Sequence, residues 1–211
     1  MEVKIFEAIF ISLHVSIFAT VASLLISLPI SFILGIKDFH LKNVVLAIIN
    51  SLTAIPPVCA GLICYLIVSR TGPLGWMGIL YTPIAMMIAQ FIIITPIMIS
   101  LITRNIQEEY HFFQEELRSY GAKLFDIIKL LLMNKYKIYF TISIIGFGRA
   151  ISEYGAAAMV GGSIDHITRN ITSTIALETA KGNLYLALQL GMILIVISFV
   201  ITFLFQIKNK I

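Results

Sequence analysis

Apolar and polar positions alternate along this chain in long blocks. Five apolar runs cover residues 5–34, 43–69, 79–103, 138–162 and 183–207. Each is long enough to cross a bilayer as a helix, which takes about 20 residues. Between them lie a turn at 35–42, a loop from Arg70 to Gly78, a long polar stretch from Arg104 to Lys137, and a polar loop from Ser163 to Gly182. The pattern predicts an all-α membrane protein, one domain over 1–211, with five transmembrane helices and the 104–137 segment outside the bilayer.

That long polar segment is not a plain charge run. It carries Arg104, Arg118, Lys123, Lys129, Lys135 and Lys137 beside Glu108, Glu109, Glu115, Glu116 and Asp126. Phe113, Leu117, Tyr120, Leu124, Ile128 and Leu131 recur within it at spacings of three or four. On one helix they form a single apolar stripe, which must pack within the chain or on a partner. Gly121 sits midway, where glycine costs about 1 kcal/mol against alanine in a helix interior. It therefore marks a bend or a tight contact.

Two of the apolar runs are irregular. The second holds Asn50, Ser51 and Thr53, then Pro56-Pro57, then Gly61. Adjacent prolines remove two backbone donors and force a break at Ile55. Broken helices are tolerated at membrane depth where the freed carbonyls face protein or a water-filled cavity. This run is thus either path-lining or simply kinked. The fourth run contains IIGFGRAISEYGAAAMVGG, whose small residues let neighbouring backbones approach closely. Arg149 and Glu153 lie four apart in it, on one helix face. Charges at this depth pair or face the bundle interior, so they form either a structural ion pair or part of a substrate path.

Composition narrows the class. The 211 residues are 59% hydrophobic and 12% charged, against about 25% charged in soluble domains, which excludes a soluble globular protein. Cys59 and Cys64 are five apart and face different sides of a helix, so they read as small packing residues. There is no GxxxxGK[ST] phosphate loop, no HExxH, no Cys/His metal set and no GxSxG. No cofactor, metal or catalytic residue is expected, the chain does not read as an enzyme, and nothing points to nucleic acid. Ten basic residues fall on one side of the spans: Lys37, Lys42, the six of the long segment, Lys208 and Lys210. Lys4, Arg70, Arg169 and Lys181 fall on the other. The richer side is expected to be cytoplasmic, with the N-terminus outside and the C-terminus inside.

Glu115-Glu116-Leu117-Arg118-Ser119-Tyr120-Gly121-Ala122 resembles the EAA loop of ABC importer permeases. Glu115, Arg118, Gly121 and Ala122 match that pattern, while Glu116 and Leu117 stand where the family has two alanines. Ile55-Pro56-Pro57-Val58 with Gly61, followed by Ser69-Arg70-Thr71-Gly72-Pro73-Leu74-Gly75, looks like the second-helix region of molybdate- and tungstate-type oxyanion permeases. Gly146 to Ala156 looks like the helix after their EAA loop. Met159 to Gly162, Thr168 to Asn170 and Ala176 to Thr179 are closest to the tungstate branch. The resemblance covers nearly the whole chain.

The resemblance implies a type I, MetI-like permease that forms a homodimer. It further implies two copies of a separate ATP-binding subunit and an extracytoplasmic binding protein delivering the anion, tungstate first, with molybdate or sulfate as alternatives. Glu115, Leu117, Arg118, Tyr120, Gly121, Ala122 and Leu124 would couple to the ATPase. Pro56, Pro57, Arg149, Glu153 and Gly155 would line or gate the path. The loop from Ser163 to Gly182 would lie where the binding protein docks. A stand-alone secondary transporter or channel would instead show an inverted repeat and ion-coupling acids. No clear repeat is present, and Glu153 is the one acid deep in a run.

Overall fold

The computed structural model describes residues 2–210 apart from Tyr120 and Ala122, and gives the backbone alone at 2–4, 114–118, 124, 205–206 and 208–210. The described residues form eight α-helices: α1 (Glu2–Ile36), α2 (Lys42–Leu52), α3 (Pro57–Val68), α4 (Pro83–Ser119), α5 (Leu124–Ile151), α6 (Gly155–Gly161), α7 (Ile171–Ala180) and α8 (Leu184–Lys210). A 3₁₀ turn, Gly75–Met77, precedes α4. No strand occurs among the described residues.

Three helices, α1, α4 and α8, are each long and apolar enough to cross a membrane. A fourth candidate is the pair α2 and α3, bent by 100° at its break. The expected fourth span, 138–162, is not one helix. Only eleven uncharged residues separate Lys137 from Arg149, and the helix stops at Ile151. On length and apolarity alone, the five expected spans reduce to three unbroken helices and one bent pair.

The bundle has two distinct ends. At one, Ala8 of α1, Ile171 of α7 and Leu190 of α8 pack together, the Glu7 carboxylate meets His166 Nδ1 at 2.7 Å, and the Tyr81 N–H donates to the Val160 carbonyl. At the other, Phe32 and Ile36 of α1 pack with Ile102 and Ile106 of α4 and Ile127 and Leu131 of α5. The start of α1, the start of α4, and α6 to the start of α8 share one end. The end of α1 and the α4–α5 connection share the other.

The central seam joins α1 to α4. Ser12, Ser16, Thr20, Ser23, Ser27 and Ser31 are all buried and recur every three or four residues, so they line one face of α1. Small residues bring the two backbones close. The Thr95 hydroxyl donates to the Phe91 carbonyl at 2.6 Å. Ser23 must therefore be the donor in its 2.8 Å bond to Thr95 Oγ1. Further along, Ser31 donates to the Ile99 carbonyl at 3.2 Å. Pro96, inside α4, removes the N–H that the Ile92 carbonyl would otherwise receive, and the hydroxyl bonds cluster beside that gap. By contrast α8 turns Leu188, Ile195 and Phe199 outward, as a helix facing lipid does.

Candidate functional site

Two regions collect the residues singled out in the sequence. The first is the connection between α4 and α5. Helix α4 has 37 residues, about 55 Å at 1.5 Å per residue, which exceeds a hydrocarbon core of about 30 Å. The apolar part before Arg104 is by itself about as long as that core, and the charged last turns follow it. The chain then reverses at Gly121, whose φ of +66° is left-handed, a conformation glycine adopts without steric cost. Of the two alternatives for Gly121, bend or tight contact, the bend is observed: no described atom lies within 4 Å of a Cβ built there.

The expected single stripe from Phe113 to Leu131 is accordingly corrected. It is divided between two helices, because the left-handed turn interrupts the 3.6-residue period. Leu131 is buried in the α1–α4–α5 core, joined by Ile127, which the stripe did not include. The Asp126 carboxylate accepts from the Lys123 N–H at 3.2 Å and so starts α5. Lys135, a kink in α5 with φ −114° and ψ 15°, reaches back to Glu109 on α4 at 2.7 Å. Phe112 and Phe125 are 79% and 75% exposed; sequence periodicity missed both because neither falls on the stripe. Of the coupling residues, Tyr120 and Ala122 lie outside the described residues, as do the side chains of Glu115, Leu117, Arg118 and Leu124.

The second region is where α3 meets α6, and each of these helices begins at a break. Helix α2 ends at Leu52 and α3 begins at Pro57, so the break falls at Ile55 as expected. Pro57 occupies the first turn of α3, where a missing N–H costs nothing. The Ser100 hydroxyl donates to Asn50 Oδ1 at 2.7 Å, which pins the end of α2 against α4. The second break, at Ser152–Tyr154, was not expected. Ser152 Oγ donates to the Gly148 carbonyl at 2.7 Å and lies 3.2 Å from that of Arg149, so the hydroxyl competes for the helix's own acceptors. Gln90 of α4, itself buried, donates to the Ala150 carbonyl at 3.0 Å and satisfies the end of α5.

Arg149 and Glu153 are consequently not on one continuous helix, which corrects the expectation. They still meet, with Arg149 Nη1 2.8 Å from Glu153 Oε2. The carboxylate side chain is 5% exposed and the guanidinium side chain 38%. Glu153 Oε1 also accepts from the Ala156 N–H at 3.4 Å, so the same carboxylate closes the start of α6. The two breaks lie against each other. A Cβ on Gly61 would sit 2.6 Å from Ala156 Cα, and one on Gly155 would sit 2.7 Å from Val58 Cγ2. Pro56, Pro57, Arg149, Glu153 and Gly155 are thus brought into one seam. Gln90 belongs to it as well; its only sequence signal was an amide in the middle of an apolar run.

The cysteines are unpaired, Cys59 exposed and Cys64 buried. No cluster of three metal-ligating side chains occurs among the described residues.

No protein-family model matches the chain. It is 36% identical over 201 residues to the tungstate uptake system permease protein TupB of Peptoclostridium acidaminophilum, covering 94% of this chain and 87% of that protein. It is 37% identical over 171 residues to the tungstate uptake system permease protein TupB of Campylobacter jejuni, covering 79% and 70%. A probable anion ABC transporter permease of Haloferax volcanii is 35% identical over 190 residues, covering 88% and 82%. An all-helical chain with these relatives is, by class, a membrane permease subunit of an ABC transporter. Within that class it belongs to the family of tungstate and anion uptake permeases.

Proposed function

We propose that this chain is the membrane-spanning subunit of a binding-protein-dependent importer that carries an oxyanion, tungstate first, into the cytoplasm. ATP would be hydrolysed on a separate subunit. The observation that carries the reading is the identity of 35–37% to tungstate and anion permeases over most of the chain. The geometry supports it in three ways.

First, the α4–α5 hairpin projects beyond the bilayer and leaves Phe112 and Phe125 uncovered. Exposed rings at such a tip fit a groove on a partner, here the ATP-binding subunit, one copy per permease. Glu115, Leu117, Arg118, Tyr120, Gly121, Ala122 and Leu124 are assigned to that contact. Second, α2 has no buried residue and turns Val44, Ile48 and Leu52 outward, which suits a second permease copy in a homodimer. Third, the two facing breaks suit a gate that moves without unwinding a regular helix, and Pro56, Pro57, Arg149, Glu153 and Gly155 are assigned to it. The Arg149–Glu153 pair leaves no strong fixed charge there, as a path that must release a dianion requires.

The grouping of termini and loops at two ends supports five passages of a type I, MetI-like permease: α1, the bent α2–α3 pair, α4, α5 with α6, and α8. With the basic α4–α5 hairpin in the cytoplasm, the N-terminus and α7 lie outside and the C-terminus inside. The loop from Ser163 to Gly182 then faces the extracytoplasmic binding protein. Closure of the ATPase would push the hairpins and rock the bundle between outward-open and inward-open states.

The test is ATP hydrolysis by the permease reconstituted in liposomes with its ATPase and binding protein, comparing tungstate, molybdate and sulfate. Tungstate should stimulate at the lowest concentration. Stimulation by another oxyanion corrects the substrate and keeps the mechanism. No stimulation by any anion, with all subunits bound, overturns the reading.

A further inference from the structure

Helix α7 is fastened to both seams of the bundle. Asn170, itself buried, caps it by accepting from the Ser173 N–H at 2.8 Å. The next N–H, of Ile171, donates to Ser12 Oγ on α1 at 2.8 Å, which ties α7 to the α1–α4 frame. The segment leading into α7 holds the far end of α6, where the Thr168 hydroxyl donates to the Gly161 carbonyl. The remaining attachment is to the α5–α6 break: the Thr172 hydroxyl donates to the main-chain carbonyl of Glu153 at 3.3 Å.

That last bond has a competitor. Asn170 Oδ1 lies 3.0 Å from the same Thr172 oxygen, and a threonine hydroxyl has one proton to give. The proton alternates between an acceptor inside α7's own cap and an acceptor at the break. In the second state α7, the α5–α6 break and the Arg149–Glu153 pair are mechanically one piece. In the first, the break is free to open without disturbing the cap of α7. We infer that Thr172 is the positioning residue through which the outer helix α7 holds the α5–α6 break in register, so that a partner bearing on α7 changes the setting of Glu153. The inference rests on the importer reading for the identity of that partner, the extracytoplasmic binding protein. Thr172 acts through Glu153 and touches no substrate.

The test uses the full complex in nanodiscs, with Thr172→Val, which keeps shape and removes the proton, and Thr172→Ser, which keeps the proton. Basal and binding-protein-stimulated ATP hydrolysis are measured with tungstate, together with amide hydrogen exchange at Ala156 to Ala158. In Thr172→Val the stimulated component should fall by about fivefold or more, the lower bound of ordinary inter-site coupling. The fall is read at saturating binding protein, so that a change in docking affinity is separated from it, and exchange at the start of α6 should quicken. Thr172→Ser should restore both readouts. Full stimulation in Thr172→Val, or an equal loss of basal and stimulated rates in both variants, overturns the inference. Absence of stimulation in the unmodified complex overturns the importer reading instead. The exchange data then decide the joint alone: unchanged exchange in Thr172→Val refutes it.

Discussion

The α1–α4 seam and the α3–α6 seam are both built from small residues, yet they are opposite kinds of contact. The first joins helices of 35 and 37 residues through a file of buried hydroxyls. The second joins pieces of 12 and 7 residues, each starting at a break, through backbone approach at Gly61 and the ion pair at Glu153. A regular helix satisfies its own backbone, so its side-chain hydroxyls only add stitches. At a break the backbone groups need outside partners, supplied here by Gln90, Ser152 and Glu153. The difference teaches where motion is cheap. Rearranging the second seam exchanges a few local bonds, whereas rearranging the first shears two whole helices.

The largest effect that would sharpen this contrast is expected at Gly61. Gly61→Val forces a side chain onto the Ala156 backbone, and overpacking costs about 1–3 kcal/mol or more. Thermal unfolding in detergent should drop strongly and transport should be lost. Gly148→Ala, in the last turn of α5, meets no described atom and should be neutral or stabilising by up to about 1 kcal/mol. Equal effects at the two glycines would break the comparison.

Next in size is the ion pair. Arg149→Ala leaves the buried Glu153 carboxylate without its counter-charge, at a cost of about 3 kcal/mol. Adding Glu153→Gln to Arg149→Ala should recover part of that loss, since the buried charge is then gone. Chemical denaturation of all three variants reads the difference.

A smaller effect is expected at the hairpin. Gly121 meets no described atom but is left-handed, so the cost of a substitution there is conformational, about 1–2 kcal/mol for a side chain that resists this region. Gly121→Val should uncouple ATP hydrolysis from transport more than Gly121→Asn, because asparagine tolerates the left-handed region. Equal uncoupling by both would mean that contact with the ATPase, rather than backbone conformation, dominates.

In the α1–α4 seam, Ser23→Ala and Ser31→Ala should each cost about 0.6 kcal/mol, the average for hydrogen bonds between membrane helices, and leave transport intact. Losses as large as that of Gly61→Val would erase the distinction between frame and gate.

The smallest effect is a pH response at the α7–α8 turn. Hydrogen bonds from Lys181 and Asn183 hold the Glu178 carboxyl below its ordinary value of 4.5. A depressed folded pKa means the stabilisation is present above the unfolded value and is lost as pH falls through the folded one. Exchange protection at the start of α8 should weaken slightly below pH 4.5, and Lys181→Ala should reduce that dependence, leaving the part that Asn183 supplies.

Much of this was legible from residue type and spacing. Pro56-Pro57 placed the first break, because proline removes donors wherever it stands. Gly121 marked a bend or a tight contact without deciding between them, and the apolar blocks marked the membrane class. The break at Ser152–Tyr154 was not legible. Gly, Ala and an i,i+4 charge pair read equally well as one continuous small-residue helix, and only neighbours that satisfy the interrupted backbone favour the break. Phe112 and Phe125 escaped because a period analysis continued through Gly121. The serine file on α1 was present at helical spacing and went unread, since hydroxyls in an apolar run carry no net signal until a facing helix is known.

The sequence by itself therefore determined the membrane class and the position of the proline break, both of which follow from local covalent and solvation properties. The tertiary structure decided that the two breaks lie against each other, that Arg149 and Glu153 pair across an interruption, and that α7 reaches both seams. Those outcomes depend on which freed backbone groups find partners among side chains distant along the chain, as Gln90 does for Ala150 and Thr172 does for Glu153.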